Sequence, residues 1–250
     1  MEKIYIDYGK RINNAILDVV REILMDLSKS KISSHHCFYI TFKTKERDVL
    51  IPEKFQFITN GGNLNQVLQG LVEARKQNIK IKINTVLLKK FNEDEINSMV
   101  KWCHENGFKQ SFIEVMPVGE VNTSRTNQFL PISFAKSIIK KEFGLESLSF
   151  STNGPSKYYK TKLGNIIGFI SPLTENFCAS CNRIRVTSNG MLYPCLGDNG
   201  SVNLKNSLHK SDSEVMEIIK SSIYHKPEKH FFNIKEKAYV QDRFMSTTGG

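Results

Sequence analysis

Three of the five cysteines in this 250-residue chain stand between Phe177 and Leu196, in the stretch FCASCNRIRVTSNGMLYPCL. Cys178, Cys181 and Cys195 follow the pattern C-x2-C-x13-C. Asn189-Gly190 joins two alternating runs, RIRVTS and MLYPCL, and that dipeptide is a strong hairpin signal. A close pair of thiols with a third across a hairpin admits several readings. Structural zinc needs a fourth ligand, for which His209 is the nearest downstream candidate. A thioredoxin-like pair would open a helix, whereas CASCNR leads into a strand. Three unrelated buried cysteines in this order would be coincidence. A [4Fe-4S] cluster held by three thiolates, with one iron left open, fits the spacing best, and zinc comes next.

Arg183 and Arg185 are two apart on a strand and so share a face. Guanidinium forks suit bidentate phosphate contacts, and here they lie within a few residues of the thiols. The bland alternative is a solvated strand face with carboxylate partners. The neighbouring sequence holds no Asp or Glu until Asp198.

Composition limits the classes that remain. Hydrophobic content of 40% and charged content of 24% are ordinary for a globular protein able to bury a core. No apolar run is long enough for a membrane span, and MEKIYIDYGKR is no signal peptide. Clustered cysteines fit a reducing cytoplasm better than a secreted disulfide framework. The net charge of +10 falls mostly after residue 55. Nucleic acid is one taker for that charge and a small phosphorylated ligand another. Lys136, Lys140 and Lys141 read as a solvated helix face, so no nucleic-acid partner is expected.

Along the chain, residues 10–28 read as an amphipathic helix, with Ile12, Ile16, Val19, Val20, Ile23 and Leu27 at helical spacing. Residues 37–42 read as a strand; His35 and His36 beside Cys37 point to opposite faces and make a poor metal site. From Phe55 the pattern changes. A helix with Leu64, Val67, Leu68, Leu71 and Ala74 on one face precedes the apolar strand 81–88. The next helix starts at an Asn92…Glu95 pair with capping-box spacing, buries Ile96, Met99, Val100 and Cys103, and ends at Gly107. A second buried strand covers 110–119. Such β/α units belong to a doubly wound sheet or part of a barrel. Lys82, inside a strand, either meets an anion in a polar cavity or reaches outward to solvent. Met116, at the end of the next strand, lines the same cavity or simply packs. A helix over 132–143 and several short strands follow, then helices near 203–209 and 212–224.

Two resemblances organise these pieces. YGKRINNAILDVVREILMDLSKSKISSHHCFYITFKTKERDVLIPEKF resembles the start of the SspB-type adaptor of the ClpXP protease, and the likeness stops near Phe55. It implies an adaptor fragment over residues 1–55, with self-association or a protease contact through that segment, and carries no binding residue over. Residues 55–250 resemble the C-terminal part of the radical S-adenosylmethionine GTP 3',8-cyclase family of molybdenum cofactor biosynthesis. FITNGGNLNQVLQG, KINTVLLK, FIEVMPVGE, GPSKYY, IGFISP, FCASCNRIRVTSNGMLYPCL and the terminal Gly249-Gly250 stand in that family's order.

The second resemblance implies an α/β fold. It consists of a partial (β/α) TIM-type barrel whose last units cover residues 56–130, and a C-terminal iron–sulfur subdomain of short strands over 131–250. It implies that Cys178, Cys181 and Cys195 hold a [4Fe-4S] cluster whose open iron contacts the guanine of GTP. It further implies that Lys82, Arg183 and Arg185 contact GTP, that Met116 contacts S-adenosylmethionine, and that Gly249 and Gly250 reach into the active site. The family's first cluster sits on a C-x3-C-x2-C motif that this chain lacks. The expectation is therefore a cytoplasmic, GTP-binding relative of a lyase that does not cleave S-adenosylmethionine unaided. The alternatives are an adaptor for ClpXP proteolysis, and a junction of two gene pieces without function.

Overall fold

The computed structural model describes the backbone at residues 5–6 and 39–40, and residues 50–59, 61–118, 125–150, 154–181, 183–187, 189–207 and 209–232. The helix expected over 10–28 lies outside these residues, as do His35, His36, Cys37, Gly249 and Gly250. Within the first segment, β1 (Tyr5–Ile6) pairs in parallel with β2 (Tyr39–Ile40). The chain divides into two compact units. The first runs to Val115 and resumes over Leu130–Thr152 and Ser156–Ile170; the second takes Met116–Phe129, Asn153–Pro155 and the chain from Ser171.

The first unit is mixed α/β with parallel strands at its heart. After α1 (Pro52–Ile58), α2 (Leu64–Lys76) begins at Asn63, whose Oδ1 accepts from the amides of Asn65 and Gln66, an ordinary side-chain N-cap. β3 (Lys82–Leu87), α3 (Ile96–Glu105) and β4 (Lys109–Glu114) form a β-α-β unit with β3 and β4 parallel, Ile83 opposite Gln110 and Asn84 opposite Ser111. Gly107, at φ 68°, ends α3 in the left-handed region, where a Cβ is costly. α4 (Ile132–Phe143) leads to β5 (Glu146–Ser147), β6 (Lys157–Lys160) and β7 (Ile166–Ile170). The five strands lie in the order β3-β4-β7-β6-β5; β7 is parallel to β4, and β6 and β5 are antiparallel additions.

Alternate residues of these strands face opposite ways. Ile83, Leu87, Phe112, Ile167 and Phe169 meet Leu71 and Ala74 of α2, Met99, Val100 and Cys103 of α3, and Ile132, Ala135 and Ile139 of α4 in one apolar layer. Phe112 stacks on Phe169 with ring centroids 6.0 Å apart, and Tyr159 meets Phe169 edge-on at 5.3 Å. Burial pushes the Cys103 thiol far above its usual range, so it stays protonated and behaves as a small apolar core residue.

Two helix starts depart from the local pattern. Asn92 and Glu95 form no capping box. Asn92 instead closes its own turn, accepting from the Leu88 amide at 2.8 Å and donating to the Val86 carbonyl at 2.8 Å. Glu95 turns away to accept from the Leu50 amide at 2.7 Å and the Lys54 ammonium at 2.9 Å. Partial burial alone would lower the Lys54 pKa, but the hydrogen bonds and charges of Asp94 and Glu95 outweigh it and raise it. The first turn of α4 has no cap from its own N-terminus. The buried carboxylate of Glu114, at the end of β4, accepts from the Ile132 amide at 3.0 Å.

The second unit holds β8 (Arg185–Val186), β9 (Met191–Tyr193) and β10 (Val202–Asn203), antiparallel in the order β10-β9-β8. The expected Asn189-Gly190 hairpin is present. Thr187 and Met191 pair across it, and Gly190 takes φ 81°. In place of a helix over 203–209 there is a 3-10 turn, Leu204–Ser207. α5 (Asp212–Tyr224) then starts at a reciprocal Ser211–Glu214 capping box. No helix among the described residues is long and apolar enough to cross a membrane.

Candidate functional site

The cysteine segment is a tight loop in the second unit. Cys178 opens a short 3-10 turn, Cys178–Ser180, which the Asn176 side chain caps by accepting from the Cys178 amide at 2.7 Å. The turn closes with the Cys181 amide donating to the Cys178 carbonyl at 3.0 Å. The chain then runs into β8, and the hairpin brings Cys195 back just beyond β9. All three thiols are free and partly buried. Burial is the main force raising the Cys195 pKa, and the charges of Cys178 and Cys181 raise it further; the Gly197 backbone hydrogen bond and the Lys226 ammonium pull it down. All three cysteines fall within one segment of the second unit.

A three-thiolate iron–sulfur ligand set suits these residues in donor chemistry: two cysteines on the loop, a third across the hairpin, and the Lys226 ammonium donating to the Cys181 sulfur at 3.5 Å. Among the described residues no three Cys, His, Asp or Glu side chains already form a metal-binding group. Among the described residues, four-ligand zinc has no ready fourth donor. His209 is exposed. His230 is committed at both nitrogens: Nε2 donates to the Pro172 carbonyl at 2.6 Å, and Nδ1 accepts from the Phe232 amide at 3.2 Å.

Arg183 is exposed and Arg185 partly buried. Arg185 sits opposite Tyr193 in the β8–β9 register. The intervening Ile184 and Val186 are exposed on the alternate side. Met116, half-buried, lies in the same unit, where its carbonyl accepts from the Val118 amide at 2.9 Å.

Lys82 belongs to the first unit. It is half-buried, and its Nζ stands 5.8 Å from the centre of the Tyr158 ring, itself stacked on Phe150 at 4.8 Å. The sheet face it shares, opposite the apolar layer, carries Asn84, Ser111, Gly168 and Tyr158 across four strands. Ser111 is fully buried, and its Oγ has no hydrogen-bond partner. A Cβ on Gly168 would come within 2.4 Å of that oxygen, so glycine keeps this strip flat.

Sequence reasoning passed over Lys226, Gly197 and His230. Lys226 bonds to Cys181 and Arg183, and Gly197, two residues past Cys195, lies against His230, which bonds to the Pro172 carbonyl. Gly197 is the most constrained. A Cβ there would stand 2.5 Å from the His230 Cβ and 3.0 Å from the Phe232 ring, and its carbonyl accepts from the Phe231 amide at 3.2 Å. Gly197→Ala is expected to cost about 1–3 kcal/mol by overpacking. Chemical denaturation measures the loss, and amide exchange at Phe231 should accelerate with it. Unchanged exchange there would mean that the two segments part without penalty.

Residues 108–232 match the family described as Molybdenum Cofactor Synthesis C, a span that takes in the three cysteines, both arginines, Met116 and Lys226. The chain is 42% identical over 208 residues to the GTP 3',8-cyclase of Brucella canis, covering 81% of this chain and 60% of that protein. The GTP 3',8-cyclases of Brucella melitensis and Brucella abortus match with the same identity and coverage. The chain thus spans about 60% of the length of these curated relatives. With half its residues inside that match, the chain belongs to the Molybdenum Cofactor Synthesis C family.

Proposed function

We propose that this chain carries the nucleotide-binding, iron–sulfur part of a GTP 3',8-cyclase acting in molybdenum cofactor biosynthesis. The observation that supports it most is the placement of Cys178, Cys181 and Cys195, with Arg183 and Arg185, in one segment of the second unit and inside the span that matches the family. The three thiols would hold a [4Fe-4S] cluster, which would supply a Lewis acid for the guanine. Arg183 and Arg185 serve the triphosphate, because each planar fork can donate two hydrogen bonds to phosphate oxygens. Lys82, in the first unit, is a separate candidate contact to GTP. Met116 is the contact to S-adenosylmethionine. The strands β3, β4 and β7 with their helices are a segment of a (β/α) barrel.

Anaerobic reconstitution with iron and sulfide, followed by titration with GTP, tests this reading. A full cluster per chain and a change in its spectrum on adding GTP are expected. Arg183→Ala and Arg185→Ala should each weaken GTP binding by roughly tenfold or more, the loss of a charge-assisted pair. Zinc in place of the cluster, or GTP binding indifferent to both arginines, would sink the proposal.

A further inference from the structure

Lys226 lies just past the end of α5, and the structure spends its ammonium entirely on the cysteine loop. Its Nζ donates to the Cys181 carbonyl at 2.8 Å, to the Arg183 carbonyl at 2.9 Å and to the Cys181 sulfur at 3.5 Å. An ammonium has three N–H donors, so all are engaged. The lysine is partly buried rather than extended into solvent. Its own backbone is fixed, with its amide bonded to the Ile223 carbonyl at 3.1 Å.

These contacts have a definite mechanical meaning. Carbonyls two residues apart normally point in different directions. One cation holds the carbonyls of both Cys181 and Arg183, which ties these two residues together just before β8. The same contact aims a cationic donor at a ligand sulfur. We propose that Lys226 is a positioning residue for the iron–sulfur site: it holds the Cys181–Arg183 turn in its ligating shape and compensates part of the negative charge on the Cys181 sulfur. The proposal rests on the reading of the three cysteines as cluster ligands.

Hydrogen bonds and positive charge at a ligand sulfur favour the reduced, more negative cluster and so raise its potential. In Lys226→Met the stem remains and the ammonium goes. On the anaerobically reconstituted full chain, the midpoint potential is expected to move to more negative values. Chelator is expected to strip iron about tenfold faster or more, in line with the loss of an outer-sphere partner. Lys226→Arg restores the charge and should recover most of the potential. A lysine that only buttressed the helix end would leave the potential where it was. Should Lys226→Met fail to fold, Lys226→Gln carries the same comparison, since it keeps a donor and loses the charge. Wild-type potential and wild-type resistance to chelator in the neutral variants would overturn the proposal. If the wild-type chain takes up no cluster, the reading of the site fails by itself, and amide exchange over residues 178–187 of the metal-free chain decides about Lys226. Faster exchange in Lys226→Met supports the pin; identical exchange overturns it.

Discussion

Cys195→Ala is expected to leave the reconstituted protein without a stable iron–sulfur cluster, and Cys178→Ala and Cys181→Ala to do the same. A cluster already short of a fourth protein ligand loses a third of its anchoring with any one thiol, and two thiolates rarely retain four irons. Cys195 is the sharpest choice because it sits across the hairpin from the other two. Its removal leaves the Cys178–Ser180 turn and its Asn176 cap intact. Cys103→Ala is the control: its thiol lies in the apolar layer of the first unit, and its loss should leave the iron content unchanged. Iron and sulfide assays with the visible absorption of the cluster give the readout. Full iron in Cys195→Ala would mean that the ligand set has been misassigned.

Phe169→Ala is expected to destabilise the protein by about 3–5 kcal/mol, a large share of the 5–15 kcal/mol typical of a folded domain. Phe169 is 1% exposed in the apolar layer that joins the sheet to α2, α3 and α4. Its ring contacts Phe112 on one side and Tyr159 on another, and the Lys136 ammonium stands 5.5 Å from its centre. Deleting the ring therefore removes apolar burial, two aromatic contacts and a cation–π contact together. Urea titration measures the shift in midpoint. Phe169→Leu should lose less, because it refills most of the volume. A loss below about 1 kcal/mol for the alanine variant would show that the layer collapses around the gap.

What could be read from the sequence followed the range of the interactions involved. α2, α3 and α4 show themselves in the spacing of Leu71 and Ala74, of Met99, Val100 and Cys103, and of Ile132, Ala135 and Ile139, because periodicity records which side of a helix is buried. Gly107 and Gly190 are legible for a similar local reason, since the left-handed conformation selects glycine. Asn92 and Glu95 mislead because the capping-box spacing is right while a stronger, distant partner captures the carboxylate. The Leu50 amide and Lys54 ammonium lie more than forty residues away. The Glu114 cap on Ile132 is invisible for the same reason. At the site, the thiols and arginines announce themselves by type and spacing. Lys226 does not, because a lysine beyond a helix end looks like any solvated charge until the fold folds it onto Cys181. Ser211–Glu214 is the reverse case, a capping signal present in the letters and overlooked.

The alternation of facing along β4 makes this strand intolerant of length changes. Phe112 and Ser111 are adjacent in the chain, yet one belongs to the greasy layer and the other to the polar strip beside Asn84 and Gly168. A single-residue insertion or deletion inside Lys109–Glu114 would invert every position beyond it. The buried hydroxyl would be driven among phenylalanines, Phe112 would be thrust toward Lys82, and Glu114 would be swung away from the amide it caps. Variation by substitution is thus open to this strand in a way that variation by slippage is not.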